Sequence, residues 1–265
     1  MSGASVVGSV VKVMPGNIKR QLVSMLYNYL SRKDTKGAIT FLNYGYLPAT
    51  VTAIDNVDRA RAQLYEEVAG SVTLKGKDVL EISSGRGGGA AYLMEHHYPA
   101  SIVGVDISKE AVRFCSAHYN LQGLSFKLGN AEALPFNGQQ FDAVVNIEAS
   151  HNYPSLDRFV SEAYRVLRPG GHFLFADMRS ADKIDGLRSR LMRSRTELVS
   201  QRNITGNVLA ALDDESDRTI ETVNRLFPAP LWSFLYAFAG VKGTAVYNGL
   251  KSGKIQYWAF VLIKQ

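Results

Sequence analysis

The chain is poor in the features that mark several protein classes. Its 265 residues hold one cysteine, Cys115. A disulfide framework and most cysteine-based metal sites are thereby excluded, as suits a reducing cytoplasm. No stretch approaches the about 20 apolar residues that a membrane-spanning helix needs. The apolar run Ala4–Met14 is broken by Ser9 and Lys12 and has no charged segment before it, so it does not read as a signal peptide. The protein reads as soluble and cytoplasmic. No internal repeat or low-complexity stretch stands out. Charge is ordinary at 20% of residues, with a formal net charge of +6. Nucleic-acid binding would require basic groups gathered on one face with aromatics between them, and no such partner is expected.

What is present is enough for one full core. Hydrophobic residues make up 46% of the chain, and the length is large for one domain and short for two. The organising stretch is Asp78–Leu93. It reads as a short apolar strand (Val79, Leu80, Ile82), a Ser/Gly turn, and the small-residue start of a helix. Such a turn tolerates unusual backbone angles and close approach of a ligand. The helix start adds unpaired N–H groups and the positive end of a dipole.

Spacing narrows the choice among nucleotide-binding folds. Glu81, Gly85 and Gly87 give Glu-x-x-x-Gly-x-Gly, not the Gly-x-Gly-x-x-Gly of dinucleotide enzymes or a phosphate-binding P-loop. A second strand, Ser101–Asp106, ends in an acid where such folds bind ribose hydroxyls. A third leads to Leu128-Gly-Asn-Ala-Glu-Ala-Leu-Pro-Phe136, a fourth is Phe141–Glu148, and a fifth follows Leu167-Arg-Pro-Gly-Gly171. Helical patterns at Gly89–His97, Lys109–Tyr119 and Leu156–Leu167 fall between them, so the expected fold is α/β with a doubly wound parallel sheet.

These five segments, in that order, resemble a class I S-adenosylmethionine-dependent methyltransferase. The resemblance implies a Rossmann-like core and S-adenosyl-L-methionine as cofactor. It also implies roles for residues. Glu81 reads the amino group or organises the turn, and Ser83, Gly85 and Gly87 let the backbone lie against the methionine part and ribose. Asp106 takes the ribose hydroxyls, Ile107 lies on one adenine face, and Asn130 with Ala131 meets the adenine edge. No metal is assigned.

The flanks read differently. Lys19–Arg32 has the spacing of an amphipathic helix with basic flanks, which keeps peripheral membrane contact open, as self-association is also open. Phe41–Tyr46 is aromatic and suits a segment closing over a flat or cationic ligand, with Tyr44 against the cofactor and Tyr46 toward the substrate. Ala53–Ala69 reads as a helix. Ile184–Val199, with Arg188, Arg190, Arg193 and Arg195, reads as helical, and Asp213–Leu226 as a second helix. Leu226–Ala239 is densely aromatic. The expected organisation is a helical cap over 1–75, the cofactor core over 76–180, a helical and aromatic lid over 181–240, and closing strands within 241–265 at Val241–Val246 and Ile255–Ile263. An apolar lid suits a large, lipophilic small-molecule substrate, with Trp232 in contact.

The stretch Asn146–Pro154 leaves the fourth strand at its carboxyl end, where ligands bind in open α/β sheets. His151 stands three residues past Glu148, and a neutral imidazole there suits a general base. Glu-x-Ser-x-Gly-x-Gly-Gly-Gly at 81–89, Glu-Ala-Ser-His-x-Tyr-Pro at 148–154 and Ser-Gln-Arg-x-Ile at 200–204 are together similar to the mycobacterial phthiotriol/phenolphthiotriol dimycocerosate methyltransferases and their relatives. Ser83 and Asn130 depart from the general methyltransferase pattern, which has glycine and aspartate there. The resemblance implies O-methylation of a hydroxyl on a lipid or polyketide-type product, with His151 and Glu148 catalytic and Tyr153 near the acceptor. Two other readings stay open. One is C-methylation of a sterol or isoprenoid alkene, with Glu148 as the acid and Tyr44, Tyr46, Tyr153 and Trp232 as a cation cage. The other is a noncatalytic cofactor-binding subunit.

Overall fold

Alternating apolar runs set the strands of this chain, and the computed structural model describes residues 28–30, 32–49, 57–192 and 196–265. The strands are β1 (Asp78–Ile82), β2 (Ser101–Asp106), β3 (Leu124–Leu128), β4 (Phe141–Ile147), β5 (Leu167–Ser180), β6 (Thr196–Asn203) and β7 (Ile255–Lys264). They form one sheet in the order β3-β2-β1-β4-β5-β7-β6. The first five are mutually parallel, and β7 runs antiparallel between β5 and β6. The helices are α1 (Val57–Ala69), α2 (Gly88–His97), α3 (Lys109–His118), α4 (Leu156–Val166), α5 (Ile184–Leu191), α6 (Thr205–Leu226), α7 (Trp232–Phe238) and α8 (Ala245–Lys251).

The period-2 alternation of strand side chains feeds two cores. In β5, Leu174 and Ala176 join Val79, Ile102 and Val145 on one face, under Leu64 of α1, Leu93 of α2 and Val208 of α6. Phe173 and Phe175 point the other way, onto Phe159 and Val160 of α4 and Leu187 of α5. Both faces are covered, which is why these strands read as near-continuous apolar runs. The expected doubly wound α/β fold is present.

Small residues bring α2 close to the rest. A Cβ on Gly89 would stand 1.9 Å from the Tyr65 ring, so no side chain fits without moving a buried tyrosine. Gly89→Ala is expected to cost about 1–3 kcal/mol by overpacking, read as a drop in urea midpoint with the slope unchanged.

Four sequence expectations need correction. The helix expected over Ile184–Val199 stops at Leu191, and Thr196–Asn203 is strand β6. That strand lies at the sheet edge, so only alternate residues are sheltered, and its polar face resembles a helix surface. Val241–Val246 is not a closing strand: α8 starts at Ala245, and Gly243 takes a φ of 85° that a strand interior does not use. The helix expected from Asp213 starts earlier, at Thr205. Arg168–Gly171 follows the end of α4 as expected, but already belongs to β5, where pairing jumps from Phe141–Leu167 to Ala143–His172. Most of the helix expected at Lys19–Arg32, the start of the one from Ala53, and Arg193 and Arg195 lie outside the described residues.

Candidate active site

The carboxyl ends of β1, β2 and β4, with the loop after β3, converge on a cleft of about 540 Å³. Its floor is the loop after β1. Ser83, Gly85 and Gly87 take φ of 60°, 54° and 79°, a left-handed series that turns the chain from strand to helix. Gly85 donates its N–H to Asp106 Oδ2 at 2.9 Å, and Ser108 N–H donates to Oδ1 at 2.8 Å. The Asp106 carboxylate is thus pinned between two turns. Burial raises its pKa while these N–H groups pull it back.

Ser83, Gly85, Asp106, Ile107, Asn130, Ala131, Glu148 and Tyr153 all line the cleft. Ile107 is 70% exposed, a large apolar side chain left open at its mouth. Asn130 spends its Oδ1 on the Glu132 N–H at 2.9 Å, which leaves its Nδ2 as the side-chain donor. Tyr153 Oη meets Ser83 Oγ at 2.6 Å and receives Asn146 Nδ2 at 2.8 Å. Burial pushes that phenol well above its ordinary range.

Other expected residues stand back from the cleft. Glu81 is 1% exposed beneath the loop and accepts a 2.6 Å hydrogen bond from Tyr65 Oη. Burial raises its carboxyl to about 7, and its Oε2 has no partner among the described residues. Gly87 is packed against Tyr119 and Phe126, where a Cβ would meet the rings at 2.7 and 2.8 Å. Tyr44 lines a second cavity, and its Oη donates to the Phe238 carbonyl at 3.0 Å. Neither Tyr46 nor Trp232 is in either cavity wall. Tyr46 donates its N–H to Ala60 O at 2.8 Å, and Trp232 Nε1 donates to Phe227 O at 2.8 Å.

At the end of β4 the chain turns through Glu148, whose φ is 53°. This strained position for a non-glycine residue aims the carboxyl at the junction of residues 34–44 and the sheet. Its Oε2 accepts the Tyr44 N–H and the Tyr257 hydroxyl, both at 2.9 Å. Burial raises its pKa to about 8, so the group is mostly protonated at neutral pH. A carboxyl raised from 4.5 to about 8 by folding contributes stability below pH 4.5 that is lost as pH rises through 8. Glu81, raised to about 7, acts in the same direction. Glu148→Gln mimics the neutral form, and is expected to flatten the fall in melting temperature across that window. A decline as steep as in the parent protein would refute the neutral assignment.

His151 sits in a single helical turn, Ser150–Asn152, after β4. Its Nδ1 is 2.7 Å from Asp177 Oδ1, and its backbone N–H donates to Oδ2 at 2.9 Å. Asp177, on β5, is fully buried and also receives Ser150 Oγ at 2.5 Å, with Arg179 Nη1 at 3.0 Å. Burial alone would raise its pKa, yet His151 and Arg179 outweigh it and hold the carboxyl well below the usual range. An ionised Asp177 accepts the Nδ1 proton, so Nε2 is the basic nitrogen of a neutral His151 ring. Asn152 Nδ2 lies 2.9 Å from that Nε2. Asn152, not His151, is in the cleft wall.

Sequence reasoning missed Asp177, Asn152 and Arg86. An acid ending an apolar strand run, Phe173-Leu-Phe-Ala-Asp177, repeats the pattern that singled out Asp106, and was the available signal for the first. Arg86, between the loop glycines, is 1% exposed. It donates to the carbonyls of Ile39 at 2.5 Å and Asp34 at 2.6 Å, pairs with Asp34 Oδ2 at 3.0 Å, and lies 3.5 Å over the Phe114 ring. Thus the loop grips the strap 34–44 that walls the cleft.

Residues 80–175 match a family described as "Methyltransferase domain". The phthiotriol/phenolphthiotriol dimycocerosates methyltransferase of Mycobacterium leprae is 38% identical over 243 residues, covering 90% of each chain. The fatty-acid O-methyltransferase of Mycolicibacterium smegmatis is 34% identical over 255 residues, covering 94% of this chain and 92% of that one. A crystal structure of the geranyl diphosphate C-methyltransferase of Streptomyces coelicolor A3(2), holding Mg2+, geranyl diphosphate and S-adenosyl-L-homocysteine, has a TM-score of 0.69 at 14% identity, covering 96% of this chain and 99% of that one. At that identity the likeness is one of fold. No described helix is long and apolar enough to cross a membrane. From its kinship with the mycobacterial enzymes over nine-tenths of its length, and from the methyltransferase domain matched in its core, the chain belongs to the class I S-adenosylmethionine-dependent methyltransferases.

Proposed function

We propose that this enzyme methylates an oxygen, in the first instance a hydroxyl, of a lipophilic acceptor, with His151 as general base. The observation that carries the reading is the His151–Asp177 contact of 2.7 Å, which fixes the tautomer and leaves Nε2 to accept a proton. The relatives named above support a lipid-type acceptor.

The residues of the cleft fit S-adenosylmethionine. The left-handed turn at Ser83–Gly87 exposes backbone beside Asp106, whose carboxylate has lone pairs beyond those taken by Gly85 and Ser108. Asp106 would bind the ribose hydroxyls, Ile107 one adenine face, Asn130 with Ala131 its edge, and Ser83 with Gly85 the methionine part. Glu81 would act from beneath by setting the loop through Tyr65. When bound, the cofactor supplies a methyl group activated by a positively charged sulfur.

The protein's own task is then to place the acceptor and move one proton. An acceptor hydroxyl entering beside Asn152 would displace that amide from His151 Nε2 and give its proton to the ring. Asp177 would stabilise the resulting imidazolium, while Arg179 and Ser150 hold Asp177 in place. Tyr153 and the neutral Glu148 would line the acceptor's path. Of the four aromatic residues that a cation cage for C-methylation would draw on, only Tyr153 lines the cleft.

The test is incubation of the purified enzyme with methyl-labelled S-adenosylmethionine and a lipid extract, followed by location of the label. A labelled methyl ether or ester supports the reading. A methyl on carbon sinks it. Cofactor binding with no product from any lipid class would favour the noncatalytic alternative.

A further inference from the structure

A second cavity, of about 290 Å³, lies across residues 38–44 from the cleft, and the two share Phe41, Leu42 and Asn43 in their walls. One side of it is α6. Arg218, Thr219 and Thr222 reach the cavity first, then Val223, then Phe227 just past the helix end. At about 1.5 Å per residue, Arg218 to Phe227 spans roughly 14 Å. The wall therefore grades from charged through hydroxyl to apolar along its length. At the apolar end Val223 and Phe227 cluster with Leu30 and Leu235.

The polar end adjoins the active site. Arg61 of α1 lines it, with its side chain 16% exposed. Its Nη2 pairs with Glu215 Oε2 at 3.5 Å, and its buried Nε donates no hydrogen bond among the described residues. The Arg61 carbonyl receives Asn43 Nδ2 at 3.3 Å, and the next residue, Tyr44, donates its N–H to Glu148. A buried guanidinium N–H without an acceptor marks the place for an oxygen ligand.

We propose that this cavity holds the hydrocarbon chain of the acceptor, a single-chain lipid whose oxygen head group accepts hydrogen bonds from Arg61 beside Glu148. This rests on the lipophilic-acceptor reading above and adds its shape and direction: head toward the cleft, tail toward Phe227. The volume is at the small end of ligand cavities, which run from roughly 300 to 1,000 Å³. It suits a segment of one hydrocarbon chain. An alcohol and a carboxylate share the required head-group chemistry.

Binding of cis-parinaric acid, a fluorescent polyene fatty acid, to the full chain tests this without turnover. Saturable binding is expected, weakened by about tenfold or more in the cavity-filling variant Thr222→Trp and in Arg61→Gln. Competition by hexadecanol or by hexadecanoate identifies the head group. Retention of a melting transition that shifts with S-adenosylhomocysteine shows that a variant is folded, and Thr219→Phe repeats the filling if Thr222→Trp fails that check. No binding to the parent protein overturns the proposal, as does unchanged binding in a folded filled variant. Binding without methylation of any lipid would leave the cavity assignment standing and sink the proposed activity. Methylation undiminished by filling would do the reverse.

Discussion

His151→Ala is expected to slow methylation of a hydroxyl acceptor by about 10²–10⁴-fold, the usual worth of a positioned general base. Affinity for S-adenosylhomocysteine is expected to stay unchanged, because His151 is not in the cleft wall. Asp177→Asn is expected to lose a similar factor by a different route. An amide can present its N–H to Nδ1, which would move the proton to Nε2 and remove the base. It also uncouples Arg179 and Ser150 from the carboxylate that holds them together with His151. The stability that Asp177 contributes has the opposite pH sign to that of Glu148. Its carboxyl is held low by folding, so the contribution is present above the ordinary carboxylate range and is lost as pH falls below it. The measurement is single-turnover transfer from labelled cofactor with an alcohol and a carboxylic acid acceptor side by side. A carboxylate needs no base at neutral pH, so His151→Ala should spare ester formation while it cripples ether formation. Equal losses on both acceptors would assign His151 to positioning and not to proton removal.

Arg86→Met is expected to cost about 3–5 kcal/mol, because it strands Asp34 as a buried, unpaired charge. Both side chains are sheltered, at 0% and 4% exposure. Asp34 also accepts the N–H groups of Ala38 and Ile39 at 2.9 and 2.8 Å. Losing the arginine therefore frees the strap over its first half, residues 34–39, while the Gly88 N–H on Thr40 O and the contacts of Asn43 and Tyr44 still tie its second half. Because the strap walls both cavities, weaker cofactor binding should accompany the lower melting temperature. Lysine can pair with Asp34 but cannot also span the Ile39 and Asp34 carbonyls with a planar fork, so Arg86→Lys should recover only part of the loss. Full stability in Arg86→Met would show that the strap is held by other contacts.

Much of this organisation was legible because it rests on local chemistry. The β1 strand, its glycine turn and Asp106 form one continuous pattern in which each residue type follows from backbone demands. His151 could be placed at a strand end for the same reason. The pairing that defines its chemistry could not, because Asp177 is 26 residues away and meets it only when β4 and β5 lie side by side. Arg86 was missed for a related reason: its burial depends on an upstream segment, residues 34–39, folding back onto it. Tyr44, Tyr46 and Trp232 were grouped as aromatics around a ligand, but none of them lines the cleft: Tyr44 lines the second cavity with its hydroxyl on the Phe238 carbonyl, and Trp232 Nε1 is spent on the Phe227 carbonyl. Strand β6 escaped notice because one of its faces is polar.

The placement of β7 bears on how the chain is born. It lies between β5 and β6 although it follows both in the chain. While a ribosome is still extending the polypeptide, β5 has one unpaired edge and β6 has no partner in the sheet. The first five strands can assemble early, leaving an aliphatic and aromatic border, Phe173–Ala176, without its neighbour until Ile255–Lys264 emerges. Such an edge is a template for pairing with another nascent chain. Stalling or truncation ahead of Ile255 should therefore yield aggregates and not a smaller soluble domain.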